Sequence, residues 1–232
     1  MKRIASYLAA IILLTGCASI PATVEDKYLV EKTATQSDTL AKIEKDIIEK
    51  NRAVKTSEDV LDVKRKVPEF TDKELELLDK ENRILQDQVD LYTSYRDARN
   101  LEIRKTRLSE NESYTKKKKT LNDLQKADIE VAAADLEVKQ ADLSVSVAEL
   151  EYEKSKIAAS YRDKTETAEP AEKKGFLSKI TGGAKKADDR YGYGVYGEFL
   201  DKKKQEFQKA KDKYAEALKK YDEVKQKSET LK

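Results

Sequence analysis

The chain is 232 residues long, 40% charged and 7% aromatic, with one cysteine and neither histidine nor tryptophan. Without histidine, and with its single thiol near the N-terminus, it lacks the usual metal ligands, general bases and nucleophile pairs, so no enzyme, metal site or cofactor is expected. Its 47 basic and 45 acidic side chains nearly balance, which argues against a nucleic-acid partner. After Gly16 every glycine falls between Gly175 and Gly197, and proline stands only at Pro21, Pro68 and Pro170. High charge, few breakers and sustained heptads predict an all-α protein, an elongated antiparallel helical bundle or coiled coil of three to four long helices.

The N-terminus, MKRIASYLAAIILLTGCASI, sets Lys2 and Arg3 before an apolar run and then small residues. That is the layout of an export signal, and the run is too short to span a bilayer as a mature helix. Leu14-Thr15-Gly16-Cys17 resembles the lipobox of bacterial lipoproteins. The resemblance implies a signal peptide over 1–16, cleavage before Cys17, lipidation of its sulfur with further acylation such as palmitate, and a tether over 17–22. Ala18 is unlike the Asp that holds enteric lipoproteins in the inner membrane, so the resemblance implies the outer membrane. Two or more acyl chains anchor stably where one is marginal, each buried methylene adding about 0.8 kcal/mol. Losing Lys2 and Arg3 with the signal leaves a mature chain with no net charge.

The first helix is expected from about 23 to 66, with Thr23 and Asp26 at its cap, Leu40, Ile47, Val54 and Leu61 in one line, and Pro68 as its stop. Thr71-Asp72-Lys73-Glu74 reads as a capping box that starts a second helix. There Leu75 and Val89 alternate with Leu78, Leu85 and Tyr92, and Asn82 takes a core-type position that fixes register. From Thr71 to Glu169 there is neither glycine nor proline, so one helix over 72–162 competes with two, 72–108 and 109–162. Arg104, Lys105 and Arg107 suit a helix C-terminus, and Ser109 with Glu112 makes another capping box; no glycine is present for a left-handed cap. A short tether to a membrane also favours the turn, because an upright, unbroken helix would run into the bilayer.

Residues 127–154 read ADIEVAA ADLEVKQ ADLSVSV AELEYEK, four heptads with two apolar stripes. Ala127 and Val131 lie near 20° around the helix and Ile129 near 200°, at about 100° per residue. Such a helix needs cover on both sides. The low-relief Ala/Val side suits a last helix over 197–232, where Leu200, Phe207, Tyr214 and Tyr221 alternate with Ala210, Ala217, Val224 and Leu231. Ile129, Leu136, Leu143 and Leu150 would meet another helix of the chain or a second copy, which makes them candidate partner contacts. The segment is similar to helical hairpins of periplasmic adaptor proteins and outer-membrane efflux factors, which implies an accessory role in transport or secretion. Nothing in the chain resembles the lipoyl or barrel domains that flank adaptor hairpins.

Lys116–Lys119 is either a solvated helical face or a dock for anionic headgroups and wall polymers. Residues 163–196 are expected as a flexible linker holding GFLSKITGG and RYGYGVYG, whose Tyr191, Tyr193 and Tyr196 are the remaining candidate contacts. The terminal Lys232 resembles the lysine that murein lipoproteins join to peptidoglycan, but a four-helix layout would return it toward the membrane. The expected role is a lipid-anchored structural scaffold of the bacterial cell envelope, acting through helix–helix contacts with a protein partner or a second copy. The alternatives are a surface adhesin or receptor and an accessory subunit of a transport or secretion assembly.

Overall fold

Lacking breakers over long stretches, the described residues spend their backbone donors almost wholly within helices. The computed structural model describes residues 21–168 and 193–230, and these form a short 3-10 helix, Asp26–Leu29, and three long helices: α1 Ala34–Ser94, α2 Ala98–Ala168 and α3 Tyr193–Glu229. The protein is an all-α helical bundle. The signal segment, Cys17, GFLSKITGG, Tyr191 and Lys232 lie outside the described residues.

Helix α1 starts at Ala34, not near Thr23. Thr33 and Gln36 form its capping box: the Thr33 amide donates to Gln36 Oε1 at 2.8 Å and the Gln36 amide to Thr33 Oγ1 at 3.2 Å. Pro68 does not end the helix; it sits inside it, and buried. A proline within a helix costs about 3 kcal/mol through its missing donor and its clash with the preceding turn. Here the ring occupies the same heptad line as Leu61 and Leu75, both buried, so apolar burial offsets that cost. The expected second start at Thr71 is likewise absent. Thr71 Oγ1 meets Gln125 Oε1 at 3.0 Å, and Glu74 accepts from Lys118 at 2.9 Å, so both would-be capping groups bond to α2 instead.

The reversal lies at Tyr95-Arg96-Asp97, not near Ser109, which is exposed within α2. Arg96 adopts φ 55°, the left-handed conformation usually left to glycine. The Asp97 amide bonds Tyr92 O at 3.1 Å and the Arg96 amide bonds Thr93 O at 3.2 Å, which closes the α1 C-terminus. Asp97 then caps α2, its Oδ1 accepting from the Asn100 amide at 3.2 Å and its Oδ2 from Asn100 Nδ2 at 2.7 Å. One turn thus stops one helix and starts the next, and three long helices stand where a fourth was possible. Helix α2 runs on to Ala168 and α3 opens at Tyr193, so helix enters both ends of the expected 163–196 linker.

By contact density the chain divides into two compact units, each drawing on all three helices. One comprises 1–45 with 145–203. Its core includes Val24, Leu29, Leu40, Ala148, Leu150, Ile157, Ala158, Tyr196 and Leu200. The Val24 amide donates to Glu151 Oε2 at 3.0 Å, and the Tyr28 and Tyr161 rings meet edge to face at 6.3 Å. The other comprises 46–144 with 204–232, with Val54, Leu61, Leu75, Leu78, Leu85, Val89, Ala127, Ala132, Leu143 and Ala210 in its core.

Candidate functional site

In the unit built from 46–144 and 204–232, polar groups punctuate the α1–α2 seam at heptad intervals. Lys50 meets Asp142 at 3.0 Å, Ser57 meets Asp135 at 3.1 Å, and Lys64 meets Asp128 at 2.6 Å. Each step of seven forward on α1 is seven back on α2, the register of an antiparallel coiled coil. Lys139 donates to both Ser57 and Asp135, at 2.6 and 2.7 Å. Nearer the turn, Asn82 donates to Thr115 Oγ1 at 3.1 Å and accepts from Asn111 at 2.9 Å. Thr115 and Asn122 are buried, and Asn122 donates to Asp72 Oδ1 at 2.7 Å. A one-heptad slip would still set some lysines against aspartates, yet it would strand the Asn82–Thr115–Asn111 and Thr71–Gln125 sets. Unpaired buried polar groups cost about 1–3 kcal/mol each, so these layers define a single register.

The electrostatics follow the pairing. Hydrogen bonds from Lys126 and Asn122 hold the Asp72 carboxyl below its ordinary pKa, and Lys118 does the same for Glu74, assisted by Tyr114. Glu74 in turn raises Lys118. At Lys50 partial burial opposes the charge, but hydrogen bonds to Asp142 and Asp46 outweigh it and raise the pKa. Within the KKKK run Lys118 pairs with Glu74 and Lys119 with Asp79 at 3.1 Å, while Lys116 and Lys117 are exposed.

In this unit α2 is covered from two directions. Asp128, Asp135 and Asp142 bond to α1, whereas Glu130 and Glu137 bond to Lys220 and Lys213 of α3 at 2.6 and 2.9 Å. Positions 128 and 130 lie about 160° apart around a helix. An open groove remains between α2 and α3, where Ala127 and Val224 form an apolar floor below Lys126, Glu130, Lys220 and Lys227.

This packing redistributes the residues expected to meet a partner. Leu143 and Leu150 are 3% exposed, and Ile129 and Leu136 are half-buried, so the Leu/Ile stripe is largely consumed within the chain. Tyr196 is 1% exposed and its hydroxyl donates to Ala22 O; it is a core residue, not a contact on a loop. Tyr193 is the first residue of α3, and its side chain lies outside what the structure describes.

The open apolar surface is on α1 instead. Val63, Phe70, Leu77, Ile84 and Leu91 are 64, 74, 65, 57 and 48% exposed, one every seven residues, with Val60 and Val67 beside them at 45% each. The spacing was readable in the sequence, but it runs alongside the stronger Leu/Val lines that face α2, and only packing separates the two.

Among the described residues no group of three or more His, Cys, Asp or Glu side chains could hold a metal ion, and no helix is long and apolar enough to cross a membrane. No protein-family model, curated protein or solved structure matches this chain.

Proposed function

We propose that this chain is a lipid-anchored lipoprotein of the bacterial outer membrane that serves the cell envelope as a structural scaffold, engaging its partners through helix–helix contact. The observation that carries the anchor is Leu14-Thr15-Gly16-Cys17 behind a basic and then apolar segment. The scaffold role draws its support from the polar layers along the α1–α2 seam. A scaffold must present its outer residues in constant phase, and a heptad pair bound only by interchangeable leucines could slide. The Asn82–Thr115–Asn111 and Thr71–Gln125 sets prevent that sliding and so keep the outer face of α1 in register.

The anchor is tested by metabolic labelling with a palmitate analogue in cells expressing the native chain or Cys17→Ala. The native chain is expected to take up label and to sediment with outer membranes, and the variant to do neither. A variant that remains fully membrane-bound would refute the lipid anchor. For the scaffold role, crosslinking in the intact envelope should join α1 to another helical protein or to a second copy; a chain that stays monomeric at every crosslinker length tried overturns it.

A further inference from the structure

The exposed line on α1 repeats at the heptad interval and, among the described residues, has nothing over it. It lies about 130° around the helix from the seam that meets α2, at 3.5 residues per turn. In this unit α3 is engaged by Glu130 and Glu137 of α2, away from α1, so neither helix closes over Val63, Phe70, Leu77, Ile84 and Leu91. Scattered exposed aliphatics are ordinary on a protein surface, but five in register along about 42 Å of helix, with Val67 between the first two, form one apolar line.

The charges beside the strip select its occupant. One flank carries Lys66, Lys73, Lys80 and then Asp87, and the other Val67, Glu74, Glu81 and then Gln88. When two copies of such a helix lie antiparallel about a two-fold axis through Leu77, like flanks meet: Lys73 faces Lys80 and Glu74 faces Glu81, each twice, and these repulsions outnumber the Lys66–Asp87 attractions. When they lie parallel, opposite flanks meet: Lys73 falls beside Glu74 of the second copy and Lys80 beside Glu81, each contact made twice. Glu74 is already held as a carboxylate by Lys118 and Tyr114 on its inner side, so it meets the second copy as an anion. An anionic bilayer is a poor occupant, because the line on the outer side of the lysine flank, Asp62, Glu69, Glu76, Arg83 and Asp90, is acidic at four of its five positions.

We infer that Val63, Phe70, Leu77, Ile84 and Leu91 form the seam of a parallel, in-register homodimer of this chain, steered by Lys73–Glu74 and Lys80–Glu81 contacts between copies. The inference rests on the scaffold reading only for its purpose, since two chains anchored in one membrane by their N-termini would meet in this parallel sense. A strip about 42 Å by roughly 10–12 Å covers on the order of 500 Å² per copy, less than permanent dimers bury, so the association is a reversible one.

Because the only native thiol is Cys17, single cysteines report the contact directly. Val63→Cys, Leu77→Cys and Leu91→Cys are introduced one at a time into the full chain, expressed in cells and oxidised in the intact envelope, with exposed Lys117→Cys of α2 as control. All three seam variants should give a disulfide-linked species of twice the chain mass, and the control should not. Dimer from Leu77→Cys alone indicates an antiparallel pair and overturns the inference, as does a product of any other mass or no product at all. Lys80→Glu in the Leu77→Cys background should weaken association roughly fivefold, and adding Glu81→Lys to the same chain should restore it; failure of that rescue overturns the charge pairing. Repeating the oxidation with Cys17→Ala separates the two readings. Dimer formed by released chain leaves the seam intact whatever the fate of the anchor, while loss of the dimer with an intact monomer makes the seam depend on it.

Discussion

Helices α1 and α2 each carry two apolar stripes at heptad spacing, and the chain treats them in opposite ways. On α2 both stripes are used: Ala127 on one side and Leu143 on the other are 4 and 3% exposed, because α1 and α3 approach from different directions. On α1 the stripe through Leu61, Leu75 and Val89 is buried against α2, while the one through Phe70 and Leu77 is left 74 and 65% exposed. The residue types hardly differ. What differs is the number of neighbours: a central helix has two, and a flanking helix has one. A second stripe on a central helix therefore reports its place in the fold, and a second stripe on a flanking helix is one that the described residues leave uncovered.

The sharpest way to break that comparison is to truncate one leucine from each class. Leu143→Ala should destabilise the folded chain by about 2–5 kcal/mol, the transfer free energy of the lost atoms plus a cavity. Leu77→Ala should change it by no more than about 0.5 kcal/mol at concentrations where the chain is monomeric. Urea unfolding followed by circular dichroism reads both. If Leu77→Ala proves as damaging as Leu143→Ala, the outer stripe is covered within the chain and the contrast disappears.

Much of this was legible in the letters. The all-α class, the two-sided middle helix and the core position of Asn82 all follow from heptad spacing and from the rarity of glycine and proline. The helix ends were harder, for definite reasons. Thr33-Ala34-Thr35-Gln36 and Thr71-Asp72-Lys73-Glu74 are the same motif in sequence. Only the first caps, because Thr71 and Glu74 find Gln125 and Lys118 across the seam, partners that no local reading can supply. Pro68 misleads in the same way: its local penalty is visible in the sequence, and its burial against other residues is not. The partner-contact assignments of Leu143, Leu150 and Tyr196 named real apolar residues, but burial within the chain removes them from an outer surface.

The turn offers a smaller test of the same distinction between local preference and tertiary demand. Holding an L-residue in the left-handed region costs about 1–2 kcal/mol, a penalty glycine escapes, while glycine brings extra entropy to the unfolded chain. Arg96→Gly should therefore stabilise the chain by about 0.5–1 kcal/mol, seen as a higher urea midpoint with an unchanged slope. A loss of stability would mean that the arginine side chain contributes more at the turn than its backbone strain removes.

The least effect belongs to pH, and its sign follows from the carboxylates on the covered side of α1 and at the turn. Asp72, Glu74 and Asp97 are all held below their ordinary pKa values, chiefly by hydrogen bonds from Lys126, Lys118 and Asn100 respectively. A depressed folded-state pKa means that the unfolded chain binds the proton more readily, so the stabilisation is present above the unfolded value and is lost as pH falls through the folded one. Urea midpoints should hold steady near neutrality and decline from about pH 5 downward, where free carboxylates begin to protonate. At the alkaline end Lys118, raised by Glu74, works in the opposite sense: its contribution is present below the unfolded lysine pKa and fades as pH climbs past the folded value. All these groups are solvent-accessible, so screening keeps the changes small and salt should flatten them further. Asp72→Asn isolates the seam from the turn. It should blunt the acid decline without abolishing it, because Glu74, Asp97 and Glu76, the last lowered by its hydrogen bond with Lys80, still titrate; an unaltered profile would leave the Asp72–Lys126 pair with no part in the seam's stability.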